Sequence, residues 1–495
     1  MEFINTRNSS KDFESVLSAQ AIKNGLAKNG GLYMPTEIPV FTKEDIAAMK
    51  DMTYPECAAK VLSLFLTDYS YSELLEDAKV AYSKESFPDG AVGIRAVNNG
   101  TYFLELWRGP TCAFKDMALQ IMPRLLSRAL NKTGEEKEAV ILVATSGDTG
   151  KAALEGYRDI PKINIEVFYP AGGVSRVQEL QMVTQKGANV NVAAINGNFD
   201  DAQTEVKNIF TDADFSAELE KQGYFLTSAN SINFGRLVPQ IVYYVFAYLR
   251  VIEDLGVDFG KEVDVCVPTG NFGNILAAFI AKQMGIPFRK FICASNENNV
   301  LTDFINTGIY NKDREFKLTI SPSMDILVSS NLERLLYLLA GDKKVSEWMS
   351  ALKSDSKYKV DDETLKKLTN EFSGYFATEQ DTKNTIKKYF EAYGYLIDTH
   401  TAVAAHCADK YREETNNETP VIIASTASPF KFSQGVYEAL TGEYVEDAVD
   451  ALNKLEAYSV EKIPAPLSNA VNGQIRFSER IDVKDMRASV KSFLK

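Results

Sequence analysis

The sequence predicts an α/β fold built on parallel sheets, and three observations carry that expectation. From about residue 98 short β-rich runs alternate with helical stretches, the order that lays helices over parallel strands. The 495 residues are enough for two or three domains rather than one. Gly-rich turns stand where β-rich runs pass into helices, the carboxyl-end position at which open α/β sheets gather ligands.

Residues 1 to about 95 read as mainly helical, with loops at Asn29-Gly30-Gly31 and Pro88-Asp89-Gly90. The β-rich runs cover 102–106, 139–145, 164–169, 189–195, 263–267, 291–294 and 421–425. Helical stretches cover 114–130, 149–157, 200–212, 237–253 and 274–284. In the first, Phe114, Met117, Ala118, Ile121, Met122, Leu125, Leu126 and Ala129 form one apolar stripe at helical spacing. Pro123 inside it predicts a kink or a shortened helix. Residues 343–417 are more polar and helical, and read as a helical insertion before the last β-rich run. The expected organisation is a helical region over 1–95, a two-lobed core over 96–440 and a mixed C-terminal segment over 441–495.

Composition narrows the function. Hydrophobic residues make up 45% and charged residues 24%, ordinary for a soluble globular chain. A net charge of −13 disfavours nucleic acid and anionic membranes as partners. Five dispersed cysteines without a C-x-x-C pair suit reduced thiols in a cytoplasmic protein. The N-terminus lacks the pattern of a signal peptide. The apolar run 241–249 is too short to span a bilayer, which needs about 20 residues. The two histidines, His400 and His406, lie six apart and do not share a helix face as a metal pair would. Each is expected to be buried or capping a helix.

Five constellations carry chemistry. Lys115 follows the turn Gly109-Pro110-Thr111 at the mouth of the apolar helix. A lysine there can be desolvated and attack an aldehyde as a free amine; a snorkelling stem is the plainer alternative. The run Pro268-Thr269-Gly270-Asn271-Phe272-Gly273-Asn274-Ile275 joins a β-rich run to a helix. Its glycines and the helix start suit an anion, although a plain helix start shows the same pattern. Thr145-Ser146-Gly147-Asp148-Thr149-Gly150 is a second such turn. Thr145 and Ala152 rule out a P-loop, and Asp148 or Thr149 as a simple cap is the alternative. Asn230-Ser231-Ile232-Asn233-Phe234-Gly235-Arg236 offers amides and a guanidinium to a second anion. Thr426, after the apolar run 421–425, can present a hydroxyl to a ring nitrogen. A lysine with phosphate cradles is what a pyridoxal-phosphate enzyme requires.

Together these motifs make the chain resemble the threonine synthase family, pyridoxal-phosphate enzymes of the tryptophan-synthase-β-like group. The likeness runs over nearly the full length and includes Asn29-Gly30-Gly31-Leu32-Tyr33-Met34-Pro35, Gly109–Asp116, Gly270–Asn274 and Ser425-Thr426-Ala427-Ser428-Pro429. The resemblance implies a fold-type-II enzyme with pyridoxal 5'-phosphate as cofactor. Lys115 would be the Schiff-base lysine and proton shuttle. Gly270, Asn271, Phe272, Gly273 and Asn274 would bind the cofactor phosphate, and Thr426 would face the pyridine nitrogen. Ser146, Asp148 and Thr149 would lie near the substrate carboxylate, with Asn233 and Arg236 near the substrate phosphate. The implied substrate is O-phospho-L-homoserine, converted by β,γ-replacement to L-threonine and phosphate. No metal is expected, and a monomer and a homodimer are both compatible.

Two positions depart from the family pattern: Arg108 and Ser428 stand where histidines are common. Arg108 keeps a positive charge that can serve an anionic substrate. The main alternative is a phospho-lyase that takes the same substrate to 2-oxobutyrate. A dehydratase lacks the long N-terminal region, a catalytically dead relative would not keep Lys115, Gly270 and Thr426, and a nucleotide-binding protein would need a fingerprint that is missing.

Overall fold

Two mostly parallel sheets organise the chain in a computed structural model that describes residues 1–8, 14–98, 100–145, 147–459 and 461–494. The larger sheet runs Phe372–Phe376, Phe288–Ser295, Val263–Pro268, Val421–Ser425, Thr101–Glu105 and Gly93–Asn98, with only the last strand antiparallel to its neighbour. The smaller runs Arg480–Asp482, Val190–Asn196, Ile163–Pro170, Glu138–Ala144 and Tyr224–Thr227, all parallel. Val263–Pro268 and Val421–Ser425 are buried at every residue, as strands covered on both faces must be. The expected α/β architecture with two parallel-sheet lobes is therefore present.

Strand order positions the site. Val263–Pro268 lies between two later strands, Phe288–Ser295 and Val421–Ser425, and Glu138–Ala144 lies between Ile163–Pro170 and Tyr224–Thr227. Such reversals leave a crevice at the carboxyl ends, because the following connections leave on opposite sides. The loops after Ala144, Pro268 and Ser425 start from these ends. The helix Phe234–Asp254 is buried along almost its whole length, which its apolar residues on every side require.

All seven β-rich runs are strands, and the expected helices over 149–157, 200–212, 237–253 and 274–284 are Asp148–Tyr157, Phe199–Thr211, Phe234–Asp254 and Gly273–Gln283. The helix expected over 114–130 is broken into Asp116–Leu119 and Met122–Lys132. Pro123 occupies the first turn of the second piece, where its missing N–H has no partner to lose. The apolar stripe survives the break, with Met117, Ile121, Met122, Leu125, Leu126 and Ala129 buried.

The structure adds detail to three expectations. Residues 1–95 hold the helices Ser18–Asn24, Lys43–Met49, Tyr54–Phe65 and Tyr71–Ala81, but also a small antiparallel sheet of Glu2–Asn5, Val16–Leu17 and Tyr33–Pro35. These strands are too short to show a period of two. Residues 343–417 are not simply an insertion, because Phe372–Phe376 forms an edge strand of the larger sheet and Thr399–Thr415 packs on the sheet's strands. Gly374 weakens the strand signal; it is needed because Thr302 backbone stands 2.9 Å from where a Cβ would lie. The tail contributes Arg480–Asp482 to the smaller sheet, a polar strand without apolar alternation.

Gly156, on the helix Asp148–Tyr157, lets that helix approach Asp116–Leu119. An added Cβ would fall 1.8 Å from Leu119 O, a backbone atom. Gly156→Ala is expected to lower stability by about 1–3 kcal/mol, read as a lower denaturant midpoint with an unchanged slope.

The last helix, Met486–Phe493, covers a carboxyl group. Glu166 on Ile163–Pro170 is fully buried, and its Oε1 accepts from Asn191 Nδ2 (2.9 Å) and Ser489 Oγ, while Oε2 has no partner. Burial lifts its pKa to about 7. Below the unfolded value both states hold the proton. As pH rises towards 7 the unfolded chain loses it first, so folding weakens by roughly 3 kcal/mol before levelling off. Unfolding midpoints across that range should fall in the wild type and flatten in Glu166→Gln.

Candidate functional site

Lys115 is held by its own loop and by the end of a strand. Asp116 closes the preceding turn, accepting from Thr111 N (2.8 Å) and Thr111 Oγ1 (2.6 Å). Ala113 bridges Ala427, Phe114 N donates to Thr426 O (2.8 Å), and Ser428 N donates to Cys112 O (3.1 Å). The lysine loop is thereby stitched to the chain leaving Val421–Ser425, which unites Lys115 and Thr426 in one loop pair. The Lys115 side chain is 13% exposed; its Nζ lies 3.7 Å from Asp148 Oδ2 and 5.1 Å over the Phe114 ring. Burial lowers its pKa, Asp148 opposes this, and the charges of Lys431 and Arg236 reinforce it.

Asp148 starts the helix Asp148–Tyr157 and faces donors from several segments. Its Oδ1 accepts from Lys431 Nζ (2.9 Å) and Gln178 Nε2 (2.9 Å), and its Oδ2 from Ser323 Oγ (3.2 Å). Burial alone would raise its pKa, but Lys431 and Lys115 outweigh it and hold the carboxyl well below the usual range. Lys431 Nζ also donates to Thr111 O (2.8 Å), and its side chain is wholly enclosed.

The turn after Val263–Pro268 has the features of an anion cradle. The helix Gly273–Gln283 has no side-chain cap; Phe272 sits before it in the left-handed region, its ring against Phe372. First-turn N–H groups are left for an anion. Asn274 Oδ1 accepts from Tyr243 (2.7 Å) and Tyr244 (2.6 Å), which leaves its buried Nδ2 without a partner. Asn331 Nδ2 is also buried and unpartnered, and would lie 3.4 Å from a Cβ at Gly273. At Gly270 a Cβ would come within 2.9 Å of Ser323 O. Two aimed amide donors and an open helix start fit a phosphate. The cradle is braced from behind. Arg334, fully buried, donates to Asn331 Oδ1 (2.5 Å), Tyr33 O (3.1 Å) and Ile232 O (2.6 Å). Arg7 grips Glu333 through two bonds, at 2.8 and 2.7 Å. The N-terminal region therefore supports the cradle.

The remaining expected residues have mixed fates. Asn271 is exposed and its carbonyl accepts from Asn331 N (3.0 Å). Ser146 lies outside the described residues. Thr145 Oγ1 accepts from Gly147 N and Gly150 N, both at 3.0 Å, and so braces its own turn. Gly147, not Asp148 or Thr149, precedes the helix, at φ +139 with Gln178 2.5 Å from where a Cβ would lie. Thr149 is half-buried in the first turn. Asn233 caps Phe234–Asp254, accepting from Gly235 N (2.9 Å) and donating to Ile22 O (2.8 Å). Its buried amide thus also serves the fold. Arg236 is buried, donates from Nη1 to Ala229 O (2.6 Å) and leaves Nε unpartnered.

The two departures are also placed. Arg108 donates to Glu105 Oε2 (3.0 and 2.5 Å) and to Asp89 O (2.9 Å), so its charge is matched within the protein and not held for a substrate. Ser428 is fully buried. His400 is buried, with Nδ1 2.7 Å from Asp398 and Nε2 accepting from Ser323 N (3.1 Å). His406 is half-buried. Lys431, Asn331, Gln178 and Ser323 were missed. The one signal for Lys431 is a lysine between Phe430 and Phe432 just after a wholly apolar strand; the others have none.

Comparison with known proteins agrees with this geometry. Residues 2–82 match the model described as threonine synthase N terminus, 94–426 that of pyridoxal-phosphate dependent enzyme, and 401–475 that of threonine synthase, C-terminal. Threonine synthase-like 1 from Homo sapiens is 39% identical over 498 residues, 97% of this chain and 66% of that protein, so the chain spans about two thirds of that relative. Threonine synthase from Pseudomonas aeruginosa is 39% identical over 451 residues, 90% of this chain and 91% of that protein. The crystal structure of PLP-bound threonine synthase from Brucella melitensis superposes with a TM-score of 0.88 at 34% identity, covering 100% of both chains.

Lys115→Ala should abolish turnover and the visible absorbance acquired on adding pyridoxal phosphate, while cradle-bound phosphate still raises the thermal unfolding midpoint. Retained absorbance or turnover would show that another amine does the work.

Proposed function

Because the chain belongs to the threonine synthase family of fold-type-II pyridoxal-phosphate enzymes, we propose that it converts O-phospho-L-homoserine and water to L-threonine and phosphate. Its cofactor is pyridoxal 5'-phosphate. What supports the reading is the burial of Lys115 near the charge of Arg236, together with the uncapped helix start at Gly273 and the unpartnered amides of Asn274 and Asn331. One phosphate belongs to the cofactor and the other to the substrate.

When bound, pyridoxal phosphate draws electrons from the carbons next to the substrate nitrogen and makes their protons removable. Lys115, as a free amine, takes and returns those protons. Gly270, Gly273, the Asn274 and Asn331 amides and the helix start hold the cofactor phosphate. Thr426 would offer the cofactor's ring nitrogen a neutral hydroxyl. Arg236 stabilises the departing substrate phosphate through its unpartnered Nε. Asp148 and Thr149 border the end that receives the substrate carboxylate. Asp148 itself repels a carboxylate, so its part is to balance the lysines.

The same reading makes the chain a carbon–oxygen lyase acting on phosphates and places it in threonine biosynthesis. Among the described residues no helix is long and apolar enough to cross a membrane. The five cysteines are buried and unpaired, which supports the reducing cytoplasm as its compartment.

The deciding assay supplies pyridoxal phosphate and O-phospho-L-homoserine to the purified protein and quantifies threonine, 2-oxobutyrate and phosphate. Equal threonine and phosphate are expected. Oxobutyrate in place of threonine would make the chain a phospho-lyase, and no phosphate release would send the assignment to a different amino-acid substrate.

A further inference from the structure

Lys431 has no part in the chemistry described above, yet it is enclosed more tightly than Lys115. Its Nζ has two oxygen partners, Asp148 Oδ1 at 2.9 Å and Thr111 O at 2.8 Å. Lys115 Nζ reaches the other oxygen of the same carboxylate at 3.7 Å and lies 5.1 Å over the Phe114 ring. One carboxylate thus faces two lysines, and the closer one has the additional acceptor.

We infer that Lys431 is a positioning residue that takes Asp148 as its own counter-ion and thereby leaves Lys115 as an uncharged amine. The inference rests on Lys115 being the lysine that carries the cofactor. Asp148 faces Lys431 and Lys115, and Lys115 also feels the charge of Arg236, in a site shielded from water. With all three charged, two positive charges stay unmatched where the dielectric screens them poorly. Arginine does not give up its proton. Of the two lysines, Lys431 would leave a carboxylate oxygen and a carbonyl without their donor, whereas Lys115 loses one long contact. Deprotonation is therefore least costly at Lys115.

The other groups around the site leave this balance intact. Asp116 follows Lys115 but is turned onto Thr111. Burial pushes the Cys112 thiol up to about 12, so it stays neutral. Lys151 and Glu155 pair with each other at 3.0 Å. His400 reaches Asp148 only through Ser323, whose N donates to the imidazole and whose Oγ donates to the carboxylate. The direction of the Lys115 shift, downward from burial with a like-charge contribution from Lys431, agrees with the geometry.

Capture of the cofactor reads this property directly. An unprotonated amine attacks the aldehyde carbon, a C=N bond replaces C=O, and the aldehyde oxygen leaves as water with the two amine hydrogens. The rate of pyridoxal phosphate capture by the full chain, stripped of cofactor, is followed by visible absorbance from mildly acidic to alkaline pH. Borohydride reduction and peptide mapping then locate the attachment. Lys431→Gln keeps a donor towards Asp148 and Thr111 but removes the charge. It is expected to move the midpoint of the pH–rate profile up by about one unit and to slow capture about tenfold at neutral pH. Lys431→Met should shift it the same way. Removing both charges in Lys431→Gln with Asp148→Asn should bring the midpoint back down, a rescue that a merely structural role would not produce. An unmoved midpoint in Lys431→Gln, with label on Lys115, overturns the inference alone. Label on a different lysine in the wild type overturns the reading of Lys115 as well.

Discussion

The carboxylate of Asp148 sits in a dry crevice because donors from four other chain segments meet it there, and the arrangement of the site follows from that meeting. A lone carboxylate would not stay ionised at such burial. Lys431 and Lys115 supply the charge, and Gln178 and Ser323 supply the remaining hydrogen bonds. Asp148 belongs to the smaller-sheet lobe, while Lys431 lies on the segment that follows a strand of the larger sheet. The contact therefore closes the crevice and sets its electrostatics together.

A second constraint acts on the far wall. The turn at Gly270–Asn274 points its amide donors inward because Tyr243 and Tyr244 occupy the Asn274 carbonyl oxygen and Arg334 occupies that of Asn331. A side-chain amide whose oxygen is pinned can only turn its NH2 towards an incoming anion. Arg334 in turn bonds backbone from Tyr33 and Ile232. The N-terminal region thus braces the wall that carries the turn at Gly270–Asn274.

Much of the fold and part of the site were legible in order along the chain. Strands such as Val263–Pro268 and Val421–Ser425 are buried on both faces and so show as mainly apolar runs, with Asp264 and Ser425 as the exceptions. Lys115, Gly270 and Asp148 each stand in a local pattern whose turn or helix start is set by neighbours in sequence. Phe372–Phe376 was not legible, since a central glycine and polar flanks hide an edge strand that exists because Phe288–Ser295 offers it a partner. Nor were the partners of Asn233 and Arg108 legible, because these polar side chains meet protein groups distant or unremarked in sequence, Ile22 O for one and Glu105 with Asp89 O for the other.

By itself the sequence determined the α/β class and singled out Lys115 and the Gly-rich turn at Gly270–Asn274, because these depend on periodicity and on residues within one turn of each other. Only the tertiary structure decided which charges meet. Lys115, Asp148 and Lys431 are spread along the chain, and their pairing depends on the strand order that brings three carboxyl ends to one crevice. Electrostatic balance is a property of distance in space, and no local pattern encodes it.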